Sequence, residues 1–383
     1  MDNSGHFDKL MHQLEDLELT TVHGRITEVV GMLIRAVVPQ VKMGEICLIK
    51  RENEPLMAEV VGFTKDEVLL SPLGEMTGIG PSSEVIPMRM PMQIKVGPQL
   101  LGRILDGLGN PLDEDTKGPL VLEENYPVIN PPPDPLKRQM ITEPLSVGVR
   151  CIDGVLTVGK GQRMGIFAGS GVGKSVLISM LTKYADTDVK VIGLVGERGR
   201  EAKEFIEEYL GQEGLKKAVI ILATGDESAL LRKRAAYMTM AVAEYFRDNG
   251  KEVLCIMDSV TRFAQAMREI GLAVGEPPAS KGYTPSVFSE LPKLLERAGP
   301  GIGDGNITGL FTVLVEGDDQ NEPISDAVRG ILDGHIVLDR EIAQRGRYPA
   351  INVLKSISRL MPMCHTADEN ALVGRAKAAL SLY

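Results

Sequence analysis

The strongest structural signal in this chain is the stretch Phe167-Ala168-Gly169-Ser170-Gly171-Val172-Gly173-Lys174-Ser175. It follows a short strand-like segment, residues 162–166, and precedes an apolar run, residues 176–181, that opens a helix. A strand, a glycine-rich loop and a helix in this order are typical of a phosphate-binding loop. The glycines let successive backbone N–H groups turn toward one phosphate, and the helix N-terminus adds a partial positive charge. The sequence therefore predicts a nucleotide-binding protein.

Two side chains of the loop have predicted roles. Lys174 would reach the β- and γ-phosphates, and the Ser175 hydroxyl would hold Mg²⁺. Ala168 replaces the first glycine of the strict pattern, which is a mild departure because the sharpest turns fall on Gly171 to Lys174. These roles predict that the loop binds a nucleoside triphosphate together with Mg²⁺. The predicted nucleotide-binding residues of the loop are Gly169, Ser170, Gly171, Val172, Gly173, Lys174, Ser175 and Val176.

Composition excludes several classes of protein. With 383 residues, 43% of them apolar and 25% charged, the chain has the balance of a soluble protein of two or three domains. A net charge of −10 argues against a dominant nucleic-acid-binding surface. We find no apolar window long enough to span a membrane and no signal-peptide pattern at the N-terminus, so we expect a cytoplasmic protein.

The four cysteines lie far apart in the sequence and form no Cys-x-x-Cys pair. We therefore expect buried free thiols, and neither disulfides nor a zinc site. They are Cys47, Cys151, Cys255 and Cys364.

The N-terminal part of the chain has two different sequence patterns. Within residues 1–19, apolar side chains at helical spacing over residues 6–18 predict an amphipathic helix, which would either dock a partner or pack on its own domain and fray. Residues 20–95 contain short β-rich runs broken by glycine and proline, which predict a small β-barrel. Aromatic residues for base stacking are almost absent there, so a structural or ring-forming role is favoured over oligonucleotide binding.

The rest of the chain predicts a linker followed by an α/β domain. Residues 96–140 are turn-rich and include a proline-rich run at 127–135, which is typical of a semi-rigid linker region. From 141 to 362, near-continuous apolar strands alternate with helices, the pattern of a parallel sheet covered on both faces. Ligands of such sheets bind at the carboxyl ends of the strands.

Two acidic residues fall at predicted strand ends beside the loop. Asp258 ends an apolar strand and would order the metal and its waters, the alternative being a buried aspartate that caps a helix. Glu197 would orient the attacking water, the alternative being a helix-start charge. Its neighbour Arg198 favours the catalytic interpretation.

Several motifs together carry a family resemblance. Pro349-Ala350-Ile351-Asn352 followed by Ser356-Ile357-Ser358 resembles the signature of the rotary ATP synthase α/β subunit family, and the phosphate loop, the run at 196–201 and the run at 258–264 agree with it. Residues 268–278, 282–288, 294–299 and 315–319 are most similar to the branch that powers type III protein export. Flagellar members of that branch fit best, with injectisome members close behind. The resemblance covers roughly residues 20 to 383.

The resemblance implies a full set of site residues. It implies an α/β fold with a RecA-like P-loop core and a parallel sheet, preceded by the barrel. It assigns phosphate and metal binding to Lys174, Ser175 and Asp258, and water activation to Glu197. The resemblance also implies that Arg198 and Arg262 help to hold the γ-phosphate and that Tyr348 stacks on the adenine. Arg359 resembles the arginine finger supplied by a neighbouring subunit; without a partner it would be a surface charge.

The same resemblance implies an assembly and a setting. We expect a homohexamer with ATP sites between protomers, which works with regulator and stalk proteins of the export apparatus, export substrates and chaperones. We expect no nucleic-acid partner, and peripheral association with the inner-membrane export gate. Family members continue through a helical C-terminal domain, of which residues 363–383 would be a truncated start. The predicted activity is ATP hydrolysis that drives type III export by unloading or unfolding substrates.

Two other functions are compatible with a phosphate loop. A non-hydrolysing, ATP synthase type nucleotide-binding subunit would lack the catalytic acid, so Glu197 argues against it. A ring helicase also joins a small β-barrel to such a core, but the acidic net charge and the missing aromatics disfavour it.

Overall fold

The computed structural model describes residues 23–52, 54–315 and 322–382. The predicted helix at 6–18 and most of the motif at 315–319 lie outside these residues. The described chain divides into two compact units, one ending at Pro91 and the other beginning at Met92.

The first unit is a closed antiparallel barrel, which confirms the β-barrel of the predicted fold class. Its strands follow the order β1-β2-β5-β4-β3-β6, and β6 pairs with β1 to close the ring. Alternate residues point inward, as in Leu33–Val37, where Ile34 and Ala36 are fully buried. The strands are β1 Gly24–Val30, β2 Leu33–Val37, β3 Glu45–Ile49, β4 Leu56–Phe63, β5 Val68–Pro72 and β6 Glu84–Pro91.

The second unit is built on a largely parallel sheet. Within the described residues it has nine strands, eight of them in the order β19-β18-β12-β17-β15-β13-β14-β8, with β16 paired to β17. Eight of the nine residues of Val189–Glu197 are buried, so this central strand is covered on both faces. The sheet strands are β8 Ile104–Leu105, β12 Arg163–Ala168, β13 Val189–Glu197, β14 Ala218–Thr224, β15 Glu252–Asp258, β16 Gly299–Pro300, β17 Asn306–Leu314, β18 Gly334–Leu338 and β19 Ile357–Ser358. Two small ribbons pair β7 Gln93–Val96 with β9 Glu124–Pro127, and β10 Pro144–Leu145 with β11 Val158–Gly159.

Helices pack against this sheet and bury its apolar strands. The longest begins after Ser228, whose Oγ accepts the Leu231 N–H, and almost all its residues are buried against β13, β14 and β15. The helices are α1 Glu114–Lys117, α2 Arg150–Val155, α3 Lys174–Tyr184, α4 Gly199–Glu204, α5 Gly211–Leu215, α6 Ala229–Asp248, α7 Val260–Ala273, α8 Pro285–Leu295, α9 Pro323–Ile331, α10 Arg340–Gln344 and α11 Ala367–Leu380. A π-helix, Phe205–Leu210, joins α4 to α5.

The segment 96–140, predicted as a linker region, lies inside the second unit. Strand β8 pairs with β14 and extends the sheet by one strand. Next to it, Arg103 Nε donates to Asp113 Oδ1 at 2.9 Å in a nearly buried ion pair. The segment is held by backbone pairing and by this ion pair, neither of which leaves an apolar pattern in the sequence.

The cysteines are free thiols, but they differ in burial. Cys47 and Cys255 are buried, and burial raises the pKa of each thiol to about 12. Cys151 and Cys364 are half-buried, which differs from the expectation of full burial. Across the described residues, every helix is too short or too polar to cross a membrane.

Candidate functional site

The phosphate loop lies at the carboxyl end of β12, which is flanked by β17 and β18 in the middle of the sheet. Gly171 and Gly173 have φ angles of 75° and 89°, a region that side chains avoid, so glycine is required for this turn. Helix α3 begins at Lys174, directly after the turn. The loop borders a cleft of about 690 Å³, within the range of small-molecule sites.

Three strand ends bring the charged residues together. Lys174 Nζ lies 3.3 Å from Glu197 Oε1 at the end of β13, and it also forms an ion pair with Asp258 Oδ1 at the end of β15. The three side chains are 12%, 14% and 8% exposed, so water screens their charges poorly. One lysine thus neutralises two carboxylates in the same cleft.

The electrostatics of the trio favour a charged lysine. Burial alone would lower the pKa of Lys174, but the Asp258 and Glu197 carboxylates outweigh it and raise that pKa. Burial also raises the pKa of Glu197, and the charge on Asp258 adds to this rise while Lys174 opposes it. A carboxylate with a raised pKa is a better proton acceptor, as a general base requires.

A residue that sequence reasoning missed holds Asp258 in place. Thr312 lies on β17, fully buried, and its Oγ1 donates to Asp258 Oδ1 at 2.6 Å. The available signal was a hydroxyl in a mostly apolar strand, Asn306–Leu314, which also contains Thr308. Such a side chain needs a partner when buried.

The two arginines expected near the γ-phosphate differ in their environments. Arg262, at the start of α7, lines the cleft and donates from Nη1 to Gln265 Oε1 at 2.9 Å. A Cβ on Gly196 would lie 2.7 Å from the Arg262 Cβ, so the glycine leaves room for this arginine. Arg198 also lines the cleft, but its side chain is 82% exposed and pairs with Glu201 at 3.0 Å.

Tyr348 lies beside the phosphate loop of its own chain. Its ring carbons Cδ1 and Cε1 would be 3.4 Å from a Cβ placed on Gly173. The residue is 61% exposed, so most of the ring surface is open to a ligand.

Arg359 lies at the opposite edge of the sheet from the loop. Strand β19 runs antiparallel to β18, with Ser358 opposite Gly334, and the Arg359 N–H donates to Asp333 O at 3.0 Å. The other end of β18, Leu338, lies beside Ala168, where the loop begins. The five residues of β18 separate the end near Arg359 from the end near the loop by roughly 16 Å, which is more than the length of an arginine side chain. The exposed Arg359 is therefore not part of the cleft in its own chain.

The residues available for a metal are oxygen donors. Ser175 is exposed and lines the cleft that Lys174 and Glu197 also line, and Asp258 reaches the same lysine. The described residues contain no group of three His, Cys, Asp or Glu side chains that would bind a metal ion without further ligands. A serine and one carboxylate are a donor set that nucleotide phosphates would complete.

Comparisons with known proteins identify the family to which both units are similar. Residues 148–358 match the nucleotide-binding domain of the ATP synthase alpha/beta family, and residues 26–89 match its beta-barrel domain. The flagellum-specific ATP synthase of Caulobacter vibrioides is 53% identical over 98% of this chain and 86% of its own. The structure of the assembled ATPase EscN from the type III secretion system of enteropathogenic E. coli has a TM-score of 0.88 and 46% identity, covering 94% of this chain and 86% of EscN. A structure of assembled EscN with its central stalk EscO has a TM-score of 0.86 and 45% identity over the same shares.

Proposed function

The chain belongs to the ATP synthase alpha/beta family, and we infer that it is an ATPase that energises type III protein export. The observation that carries this inference is the contact of Lys174 with both Glu197 and Asp258 at the carboxyl edge of the sheet. A cation shared by two acids is poised to move onto a triphosphate, which leaves one acid for water and the other for the metal.

The residues present fit MgATP. The loop has the positive φ angles that turn N–H groups toward a phosphate, and Ser175 with Asp258 offers the oxygen donors that Mg²⁺ prefers. When bound, Mg²⁺ would neutralise charge that develops on the β- and γ-phosphate oxygens.

The chain's own residues account for hydrolysis. Lys174 binds the phosphates, and Glu197 orients a water in line with the γ-phosphorus. As the water oxygen bonds to phosphorus, the bond to the β–γ bridging oxygen breaks and Glu197 accepts a proton from the water. The products are ADP and inorganic phosphate. Arg262 and the exposed Arg198 stabilise charge on the γ-phosphoryl group, and Tyr348 stacks on the adenine.

The position of Arg359 supports a site shared between subunits. Because Arg359 lies too far from the phosphate loop of its own chain to contact it, its charge is available to the cleft of a neighbouring subunit. An arginine finger supplied in this way requires a neighbouring subunit, and a homohexameric ring is the assembly we propose.

The setting that we propose is flagellar export, with injectisome secretion as the close alternative. Relatives of both kinds match the chain. The ring would work at the cytoplasmic side of the inner-membrane export gate, engage a central stalk and regulator proteins, and unload substrates from chaperones or unfold them.

Replacing the proposed base tests this function. Glu197→Gln keeps the shape of the side chain but removes its basicity, so ATP binding should persist while turnover falls by a factor of about 10² or more. Both quantities are measured on one preparation, with Glu213→Gln as a matched control, because Glu213 is an exposed acid that pairs with Lys216 and does not line the cleft. Unchanged hydrolysis in Glu197→Gln would remove this residue from the reaction.

A further inference from the structure

We propose that Gln162 is a positioning residue that holds Arg359 in the orientation needed by the neighbouring active site. The proposal rests on the shared site proposed above. It assigns a function to a buried glutamine at the edge of the sheet that lies away from its own nucleotide cleft.

Two serines fasten the segment that carries Arg359 to the sheet. Ser356 Oγ accepts the Val337 N–H at 2.9 Å and donates to Asn352 O at 2.6 Å. Ser358 Oγ donates to Thr157 O at 2.7 Å. Both serines are buried, at 7% and 6% exposure, so these bonds are made without competition from water.

Gln162 closes the set of bonds around Ser358. Its Nε2 donates to Ser358 Oγ at 3.1 Å and to Asp333 O at 3.2 Å, and its Oε1 accepts the Gly159 N–H at 2.8 Å. The residue is fully buried, and each polar atom of its amide has a partner. One side chain therefore contacts both the residue before Arg359 and the carbonyl that accepts the Arg359 N–H.

The ion pair between Arg163 and Asp333 holds Asp333, whose carbonyl accepts the Arg359 N–H, in place. Arg163 Nε and Nη2 each donate to the Asp333 carboxylate at 3.0 Å, and the Arg163 backbone N–H donates to the same carboxylate at 3.1 Å. Such a two-point contact restricts rotation of both groups. The backbone of Arg359 is thus attached to the first residues of β12.

Strand β12 carries this attachment and the phosphate loop at its two ends. It begins at Arg163 beside Asp333 and ends at Ala168, where the loop starts. The finger offered to a neighbour is therefore held by the same strand that supports the chain's own nucleotide site. A small displacement of the finger is expected to be costly, because a misplacement of about 1 Å can reduce a rate by a factor of about 10².

The first test separates positioning from nucleotide binding. Gln162→Leu keeps the approximate volume and removes every polar contact of the side chain. We expect kcat to fall by a factor of about 10 to 10² while the affinity for ATP stays within about threefold of wild type. Ser358→Ala, a smaller change in the same set of bonds, should lower kcat in the same direction. Thr239→Val is the matched control, because it removes a fully buried hydroxyl that bonds Ala235 O, lies against Gly193 of β13 and takes no part in the bonds around Ser358. Its kcat should remain unchanged.

The second test asks where the defect acts. Gln162→Leu protomers keep Glu197, and Glu197→Gln protomers keep a well-held Arg359. Rings assembled from both proteins should recover activity at interfaces that pair the two intact elements. In addition, Gln162→Leu combined with Arg359→Ala should be no slower than Arg359→Ala alone, since a positioning residue has no effect once the positioned group is absent.

A mixture of Arg359→Ala with Glu197→Gln is run in parallel to separate the two hypotheses. If this mixture shows no recovery, the shared site itself is wrong. If it recovers and the Gln162→Leu mixture does not, the defect of Gln162→Leu lies in its own nucleotide site and the positioning proposal is overturned. Unchanged kcat in Gln162→Leu would overturn it as well.

Discussion

Removing Lys174 from the nucleotide-free protein should produce a loss of stability that depends on pH. Lys174→Ala leaves the carboxylates of Glu197 and Asp258 close together without a counter-charge, at 14% and 8% exposure. Removing one partner of a buried ion pair costs about 3–5 kcal/mol. Because these side chains retain some contact with water, we expect about 3 kcal/mol at about pH 8.

The sign of the pH dependence follows from Glu197. Burial already raises its pKa, and the loss of Lys174 removes the group that opposes this rise. The folded variant therefore takes up a proton at a pH where the unfolded chain is still ionised. Stability contributed by a raised pKa is present at low pH and is lost as pH rises through the folded pKa. The deficit relative to wild type should thus shrink between about pH 8 and about pH 5.

Urea unfolding without nucleotide, followed by circular dichroism at both pH values, measures this deficit. Lys183→Ala is the matched control, since Lys183 is an exposed lysine on the same helix α3, over the ring of Tyr184. Its deficit should be small and equal at the two pH values. An equal deficit at both pH values for Lys174→Ala would refute the claim that one lysine neutralises two buried acids. The same variant should also lose tight ATP binding, because the phosphates lose their main counter-charge.

Two further predictions concern the edge of the cleft. In the pH profile of kcat/KM, the apparent pKa on the acid side should lie above the ordinary pKa of a glutamate, because burial raises the pKa of Glu197 and the base must be ionised. An apparent pKa at or below the ordinary value would contradict the assignment of Glu197 as the base. Gly196→Ala places a Cβ at φ 72° and 2.7 Å from Arg262, so both stability, by about 1–2 kcal/mol, and kcat should fall. Gly211→Ala is the control, because Gly211 has φ 63° and open space around it; this variant should lose stability but keep its kcat. If both variants lost kcat equally, the loss in Gly196→Ala could not be attributed to displacement of Arg262.

The core of the fold could be predicted because its signals are local. The loop after Ala168 needs glycine for its backbone angles, and the long helix begins after Ser228 and ends near Gly250, as the capping residues indicate. The apolar strand predicted to end in Asp258 is observed as Glu252–Asp258. Apolar runs of this length leave few alternatives to buried parallel strands.

Other parts of the structure depend on contacts that leave no local pattern. Strand β8 has two residues, and it joins the sheet through backbone bonds to β14. The edge position of Arg359 depends on the register of β19, which is also two residues long. The bond from Thr312 to Asp258 joins residues 54 positions apart, so a buried hydroxyl signals only that some partner exists. Sequence reasoning therefore predicted the acids and the lysine but not the threonine or the glutamine that support the site.

The closed barrel of the first unit limits how copies of it can associate. In an open sheet, the outer strands present unpaired N–H and C=O groups that can recruit a strand from another molecule. Here β1 is hydrogen-bonded to both β2 and β6, so among the strands that the structure describes the ring is complete. The side chains on the outer surface of the barrel are therefore the main groups available for contact between two such barrels. The tip of the β1–β2 hairpin offers three apolar ones, Val29, Val30 and Met32, which are 42%, 48% and 46% exposed. Substitutions at its tip would thus alter self-association without disturbing a backbone ladder.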